Sequence, residues 1–275
     1  MFMVGQVEWA ETHLWKSAVG RYFDRLRMYG SDSVAIQKQL ANPPLREALL
    51  DIRLANKLPP ECIESLSKLA IPGLEQKQQL KSGMFELEFG PVYRARAKSE
   101  EVIGWRLEST DGSRVVQVRT DGITYSILRG YKDFSEIKEA ARKVWTLYLE
   151  QINASVVVAR IAARYINVLE FPTVIELNDY LTAAPQIPKE LPQELLTFLQ
   201  RVTIAYPDGT HAVITQASEP TGQPGARFIL DIDVFAIRTV DGRSQDLWTL
   251  IDNLRTVKNE VFFSSVTELA LERYK

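Results

Sequence analysis

With 275 residues, 45% of them hydrophobic and 25% charged, the chain has the balance of a folded globular protein, unlike a disordered, collagen-like or membrane polypeptide. The length allows one large domain or two modest ones. The 33 Lys and Arg against 35 Asp and Glu leave a formal charge of −2, so no global basic field steers a polyanion, and nucleic acid would need a local patch. One Cys and two His leave too few ligands for a disulfide framework or a Cys/His zinc cluster.

At the N-terminus, Glu8 and Glu11 stand where a secretory signal needs a basic start. No run of about 18 apolar residues follows anywhere, so the expected compartment is the cytoplasm and no membrane contact is expected. Trp15, Val19, Tyr22, Phe23 and Leu26 recur at helical spacing before Gly30, which predicts an amphipathic helix over about 11–29 and a shorter one through Leu40. Arg21, Arg25 and Arg27 on this segment read either as a nucleic-acid-binding arm or as the solvated face of one helix. Pro43 and Pro44 close it, because the residue before a proline is pushed out of helical geometry. Residues 1–41 are therefore expected to form an N-terminal helical extension.

Beyond that boundary, the patterning predicts a strand over Leu45–Leu54 and a short helix over Pro60–Ala70. Strands follow at Met84–Phe89, Val102–Glu108, Arg114–Thr120 and Ile123–Leu128. Asp111-Gly112 and Asp121-Gly122 separate the last three, because both residue types tolerate the backbone of a tight turn. Asp133, with Glu136 three residues on, predicts the cap of a long helix whose apolar side includes Phe134, Ile137, Ala141, Val144, Trp145 and Tyr148. A second series follows: a strand over Ser155–Phe171, a short helix over Val174–Leu181, strands near 200–206, 211–217 and 227–237, a helix over Leu247–Phe262 and a last helix from a Ser265–Glu268 capping box.

The expected class is α+β, an antiparallel sheet with long helices packed on one face. It is read as two pseudo-repeated β-α-β(3–4)-α halves, 42–152 and 153–275, analogous to helix-grip or TATA-binding-protein-like folds.

Four runs, Asn42-Pro43-Pro44-Leu45-Arg46-Glu47-Ala48, Arg164-Tyr165-Ile166-Asn167, Leu230-Asp231-Ile232-Asp233 and Lys258-Asn259-Glu260-Val261-Phe262-Phe263, resemble in the same order a sporadically distributed prokaryotic family of unknown function. The similarity spans about 42–275. It implies no activity or catalytic residue, and its patchy distribution suits an accessory or defence-associated role. The first 41 residues have no counterpart in it, which opens the reading that translation starts further along.

Asp231 and Asp233 lie two apart on one strand, so both carboxylates share a face, opposite Leu230, Ile232 and Val234. Such a pair can hold a magnesium ion or act as acid and base, the basis of a metal-dependent hydrolase or nuclease reading. The alternative is an ion-pair network across the sheet, because Arg160 and Arg164 also share a face, and Asp51 and Arg53 repeat the pattern. Tyr165 and Asn167 lie opposite Arg164, either satisfied within a central strand or lining a polar pocket where the halves meet. His13 and His211 stand alone, Cys62 reads as a small core residue, and Gly222–Gly225 is not a phosphate loop.

Arg94, Arg96 and Lys98, with Tyr93, read as a charged edge strand or loop. The two C-terminal helices carry more apolar positions than one stripe needs, which suits a protein partner or homo-oligomer. No catalytic residue, metal site or cofactor is assigned, and a non-catalytic binding or protein-interaction role is the first expectation.

Overall fold

A computed structural model describes residues 40–88, 94–171, 176–220 and 225–275. Its elements, in chain order, are β1 (Leu45–Leu54), α1 (Cys62–Ser67), β2 (Gln76–Glu88), β3 (Arg94–Glu108), β4 (Arg114–Arg119), β5 (Gly122–Ile127), α2 (Phe134–Ile152), β6 (Val157–Phe171), α3 (Leu177–Tyr180), β7 (Leu199–Ala205), β8 (Thr210–Ser218), β9 (Ala226–Asp241), α4 (Asp246–Ser265) and α5 (Glu268–Glu272). The strands form one nine-stranded sheet in the order β2-β3-β4-β5-β1-β6-β9-β8-β7, with every neighbouring pair antiparallel. The class is therefore α+β, as the alternation of β-rich runs and amphipathic helices predicts.

Alternation within each strand decides what the sheet buries. Ala48, Leu50, Ile52 and Leu54 of β1, Ile123, Tyr125 and Ile127 of β5, and Phe228, Leu230, Ile232, Val234 and Ala236 of β9 enter a single apolar cluster with the buried sides of α2 and α4. The intervening residues point to the opposite face, which carries Asp51 and Arg53 on β1, Thr124 on β5 and Asp231 and Asp233 on β9. Among the described residues, no helix is long and apolar enough to cross a membrane.

Local signals explain where α2 starts and how it docks. The Asp133 carboxylate accepts a hydrogen bond from the Glu136 backbone N–H at 2.9 Å, and Asn153 ends the helix in the left-handed region. Buried Trp145 stacks on Tyr148 and donates from Nε1 to the Gly242 carbonyl at 2.7 Å. Replacing Trp145 with Phe removes that donor and leaves the carbonyl unsatisfied, so we expect a loss of about 1–2 kcal/mol in urea unfolding, with native-like circular dichroism. At the Asp121-Gly122 turn, a Cβ on Gly122 would meet the Ile52 carbonyl oxygen at 2.0 Å, so only glycine lets β5 start this close to β1.

Several boundaries differ from the sequence expectation. Strand β2 begins at Gln76 rather than near Met84, because the polar run Gln76–Gln79 pairs with Trp105–Glu108 at the edge of the sheet, where a strand has little apolar signature. Strand β3 is consequently the second strand in, not an edge: Arg94 and Arg96 pair with Glu88 and Glu86. Tyr93 lies outside the described residues. The last helix is capped by Thr267, whose Oγ1 accepts from the Ala270 N–H at 3.2 Å. Ser265 instead ends α4 and donates to the Val261 carbonyl at 2.7 Å, because the backbone turns extended at Val266 to bridge Leu181.

Most apolar positions of the C-terminal helices are used internally, while Leu269 of α5 is exposed. Leu247, Trp248, Ile251, Leu254, Val261 and Phe262 of α4 are buried, and so are Ala270 and Leu271 of α5. Other large apolar side chains are exposed at Leu191, Leu195 and Leu196 and along β7 at Leu199, Val202 and Ile204.

Candidate functional site

A charged ladder runs across the centre of the face opposite the helices. Arg119 of β4 donates to Gln117 and Thr124, to Asp121 at 2.9 Å and to Asp51 at 3.2 Å. Asp51 is buried and also accepts from Thr124 Oγ1 at 2.6 Å, from Arg53 at 2.9 Å and from Arg160 at 3.2 Å. Arg53 reaches Asp121 at 2.6 Å, and Arg160 reaches Asp233 at 3.1 Å. Arg164 closes the ladder with two bonds to Asp231, of 2.8 and 2.6 Å. The Arg and Asp side chains that share a face by strand parity therefore meet across β1, β6 and β9. This geometry favours mutual neutralisation over chemistry, since each carboxylate sits beside a guanidinium.

The electrostatics follow the geometry. The hydrogen bond to Asp231 raises Arg164 above its ordinary value. Burial alone would raise Asp121, but Arg119 and Arg53 outweigh it and hold the carboxyl below its usual range. At Asp233, burial wins over Arg160 and Arg164, and the pKa is raised; its Oδ1 is buried without a hydrogen-bond partner among the described residues. Arg160 also lies over the Phe235 ring at 4.6 Å, and His211 stacks on the same ring at 5.2 Å. His211 thus serves as a packing surface here. Among the described residues, no group of three or more His, Cys, Asp or Glu side chains is arranged as metal ligands would be.

Tyr165 and Asn167 lie on the other face, in the core. Asn167 donates to the Leu230 carbonyl at 3.1 Å, and the Tyr165 hydroxyl meets that of Tyr131 at 3.1 Å. Lys258 of α4 covers the Tyr165 ring, its Nζ 4.0 Å from the centroid, and donates to Asn259 Oδ1 at 2.6 Å. Burial, reinforced by the nearby Arg255 charge, pushes the Lys258 ammonium down to about 7. Sequence reasoning assigned Lys258 no role of its own, because a lysine on an amphipathic helix ordinarily reads as solvated.

The four runs on which the family resemblance rests converge in space. Ala48 pairs with Tyr165, Tyr165 with Ile232, Ile166 with Asp231 and Asn167 with Leu230, while Lys258 closes over Tyr165. Arg21, Arg25, Arg27 and His13 lie outside the described residues. Cys62, in the first turn of α1, is a half-buried free thiol.

The main feature the sequence did not reveal is a cavity of about 350 Å³ between the helix side of β7 and β8 and the end of α4. Val202 and Ile204 of β7, Ile214 of β8 and Val261 of α4 supply its apolar walls. Its polar groups include Gln216, Glu260 and Tyr206. Gln216 is 3% exposed, and its Oε1 has no hydrogen-bond partner among the described residues. Burial, with the neighbouring Glu260 and Asp208 charges, raises the Tyr206 phenol to about 12. These residues come from β7 and the residue after it, from β8 and from α4, about 50 positions apart in sequence, and no local spacing marks them. Compared with protein-family models and with curated proteins, the chain matches none.

Proposed function

We propose that this is a non-catalytic binding protein that takes up an extended segment of a protein partner along the outer edge of β7. The carrying observation is that β7 ends the sheet with exposed Leu199, Val202 and Ile204, while among the described residues no strand pairs with its outer edge. An unpaired strand edge is a template for a further strand: main-chain hydrogen bonds give affinity, and alternate side chains give specificity. Arg201 is the one charged side chain of β7, is exposed and makes no ion pair among the described residues. The fitting occupant is therefore an extended peptide with alternating apolar residues and an acidic residue facing Arg201.

The hydrolase reading is disfavoured by geometry. Asp231 commits both oxygens to Arg164, and Asp233 shares Arg160 with Asp51. The order strand, short helix, strands, long helix occurs in each half, and the first strands of the halves, β1 and β6, pair at the sheet centre. That arrangement supports an internal duplication of TATA-binding-protein-like type. We place the chain with the sporadic prokaryotic family its motifs resemble, and in the cytoplasm.

Selection from a displayed library of extended peptides tests the reading. We expect enrichment of alternating apolar sequences carrying Asp or Glu, and a shift of that charged position to Lys or Arg against the Arg201→Glu variant. Enrichment without such a pattern, an identical selection on both proteins, no enrichment at all, or a stable dimer by light scattering that hides the edge would each overturn it.

A further inference from the structure

The lining of the cavity beneath β7 differs in chemistry from the strand edge above it. Among the described residues, the lining contains one carboxylate, Glu260, and neither Lys nor Arg. Glu260 forms no ion pair among the described residues, and it bears on Tyr206 strongly enough to help raise the phenol. Gln216, also in the lining, is buried, and its Oε1 has no hydrogen-bond partner among the described residues. An acceptor of this kind can take a hydrogen bond from a donor held in the cavity, and satisfying it is worth of the order of 1–3 kcal/mol. Val202, Ile204, Ile214 and Val261 would shed water onto an apolar body.

We infer that this cavity binds a small organic cation, an ammonium or guanidinium group on an apolar stem, with the charge beside Glu260 and an N–H donated to Gln216 Oε1. The polarity of the groups decides the class. An anion would meet Glu260 with no compensating base, and a neutral alcohol could satisfy Gln216 but would gain nothing from the carboxylate. The volume is at the lower end of small-molecule sites, which suits a compound of about ten heavy atoms rather than a nucleotide. The inference shares Val202 and Ile204 with the strand-addition reading but turns on Gln216 and Glu260, which that reading does not use, so either can fail without the other.

The test uses three probes of similar shape, phenethylammonium, 2-phenylethanol and 3-phenylpropionate, titrated into the full chain at pH 7 with amide chemical shifts as the readout. We expect phenethylammonium to bind roughly tenfold tighter than the alcohol, with shifts centred on Val202, Gln216 and Val261, and 3-phenylpropionate not to bind. Glu260→Gln changes an exposed residue and should fold normally while reducing the preference for the cation to within about twofold. Gln216→Leu should weaken phenethylammonium roughly fivefold. Should that variant not fold, Gln216→Met is the companion, since it keeps the length of the side chain without the acceptor and should weaken phenethylammonium to a similar extent. Equal binding of amine and alcohol, an unchanged preference in Glu260→Gln, or shifts elsewhere on the molecule would overturn the inference.

Discussion

Asp51→Ala is expected to destabilise the fold by about 3–5 kcal/mol, the largest loss for any single side chain of the charged ladder. Asp51 is 6% exposed and is the acceptor shared by Arg53, Arg119, Arg160 and Thr124. Together with Asp121, Asp233 and the Arg164–Asp231 pair, the ladder balances four Asp against four Arg. Removing its centre leaves Arg119, itself 4% exposed, beside Arg53 and Arg160 with one carboxylate fewer to share. The cost comes from stranding buried charge, not from the intrinsic worth of one ion pair, which desolvation largely offsets. Asp231→Asn should cost much less, about 1 kcal/mol, because the Arg164 side chain is 42% exposed and can turn to water. Chemical denaturation of both variants at pH 7 checks the ranking. An Asp51→Ala loss below that of Asp231→Asn would mean that the ladder is not organised around Asp51.

The ladder shows what was legible in the sequence and why. A strand has a period of two, so Asp231 and Asp233, Arg160 and Arg164, and Asp51 and Arg53 announce a common face before any pairing is known. Pairing with neighbours then needs only adjacency, which β1, β6 and β9 supply at the sheet centre. Helix α2 was legible for the same kind of reason, since Asp133 and Glu136 mark its start within four residues. What the sequence concealed depends on three-dimensional arrangement over long distances. The start of β2 is hidden in Gln76–Gln79, whose polar side chains suit a sheet edge and carry no β signal. The apolar surplus of α4 looked like an interaction surface because a helix covering several strands of a nine-stranded sheet needs more than one apolar stripe, and the sheet's width is not written in any one segment. Gln216 and Glu260 become partners across a cavity only because β8 lies beneath the end of α4.

Lys258 gives the second large prediction, and it carries a sign that pH reveals. Its folded-state pKa, about 7, lies below the ordinary 10.5. Below pH 7 the ammonium is charged in both the folded and unfolded chain, and the penalty for holding it against Tyr165 is felt in full. Between pH 7 and 10.5, the folded protein releases a proton that the unfolded chain keeps, so stability rises with pH across that window and levels off above it. The interval between the two values sets an upper limit of about 5 kcal/mol, at about 1.4 kcal/mol per pH unit. The ammonium keeps its contact with the Tyr165 ring and its bond to Asn259, and part of the residue remains exposed, so the realised effect should be about 2–3 kcal/mol. Lys258→Met fills the same space with an apolar side chain and removes the charge. The variant should therefore exceed the parent in stability by about 2–3 kcal/mol at pH 6 and converge with it near pH 10. Thermal and urea unfolding at both pH values, with Lys143→Met as a control on the exposed side of α2, distinguish this from a general charge effect. A Lys258→Met protein less stable than the parent at pH 6 would show instead that the ammonium over Tyr165 is a net stabilising contact, and that the core between β6 and α4 is built around the charged form.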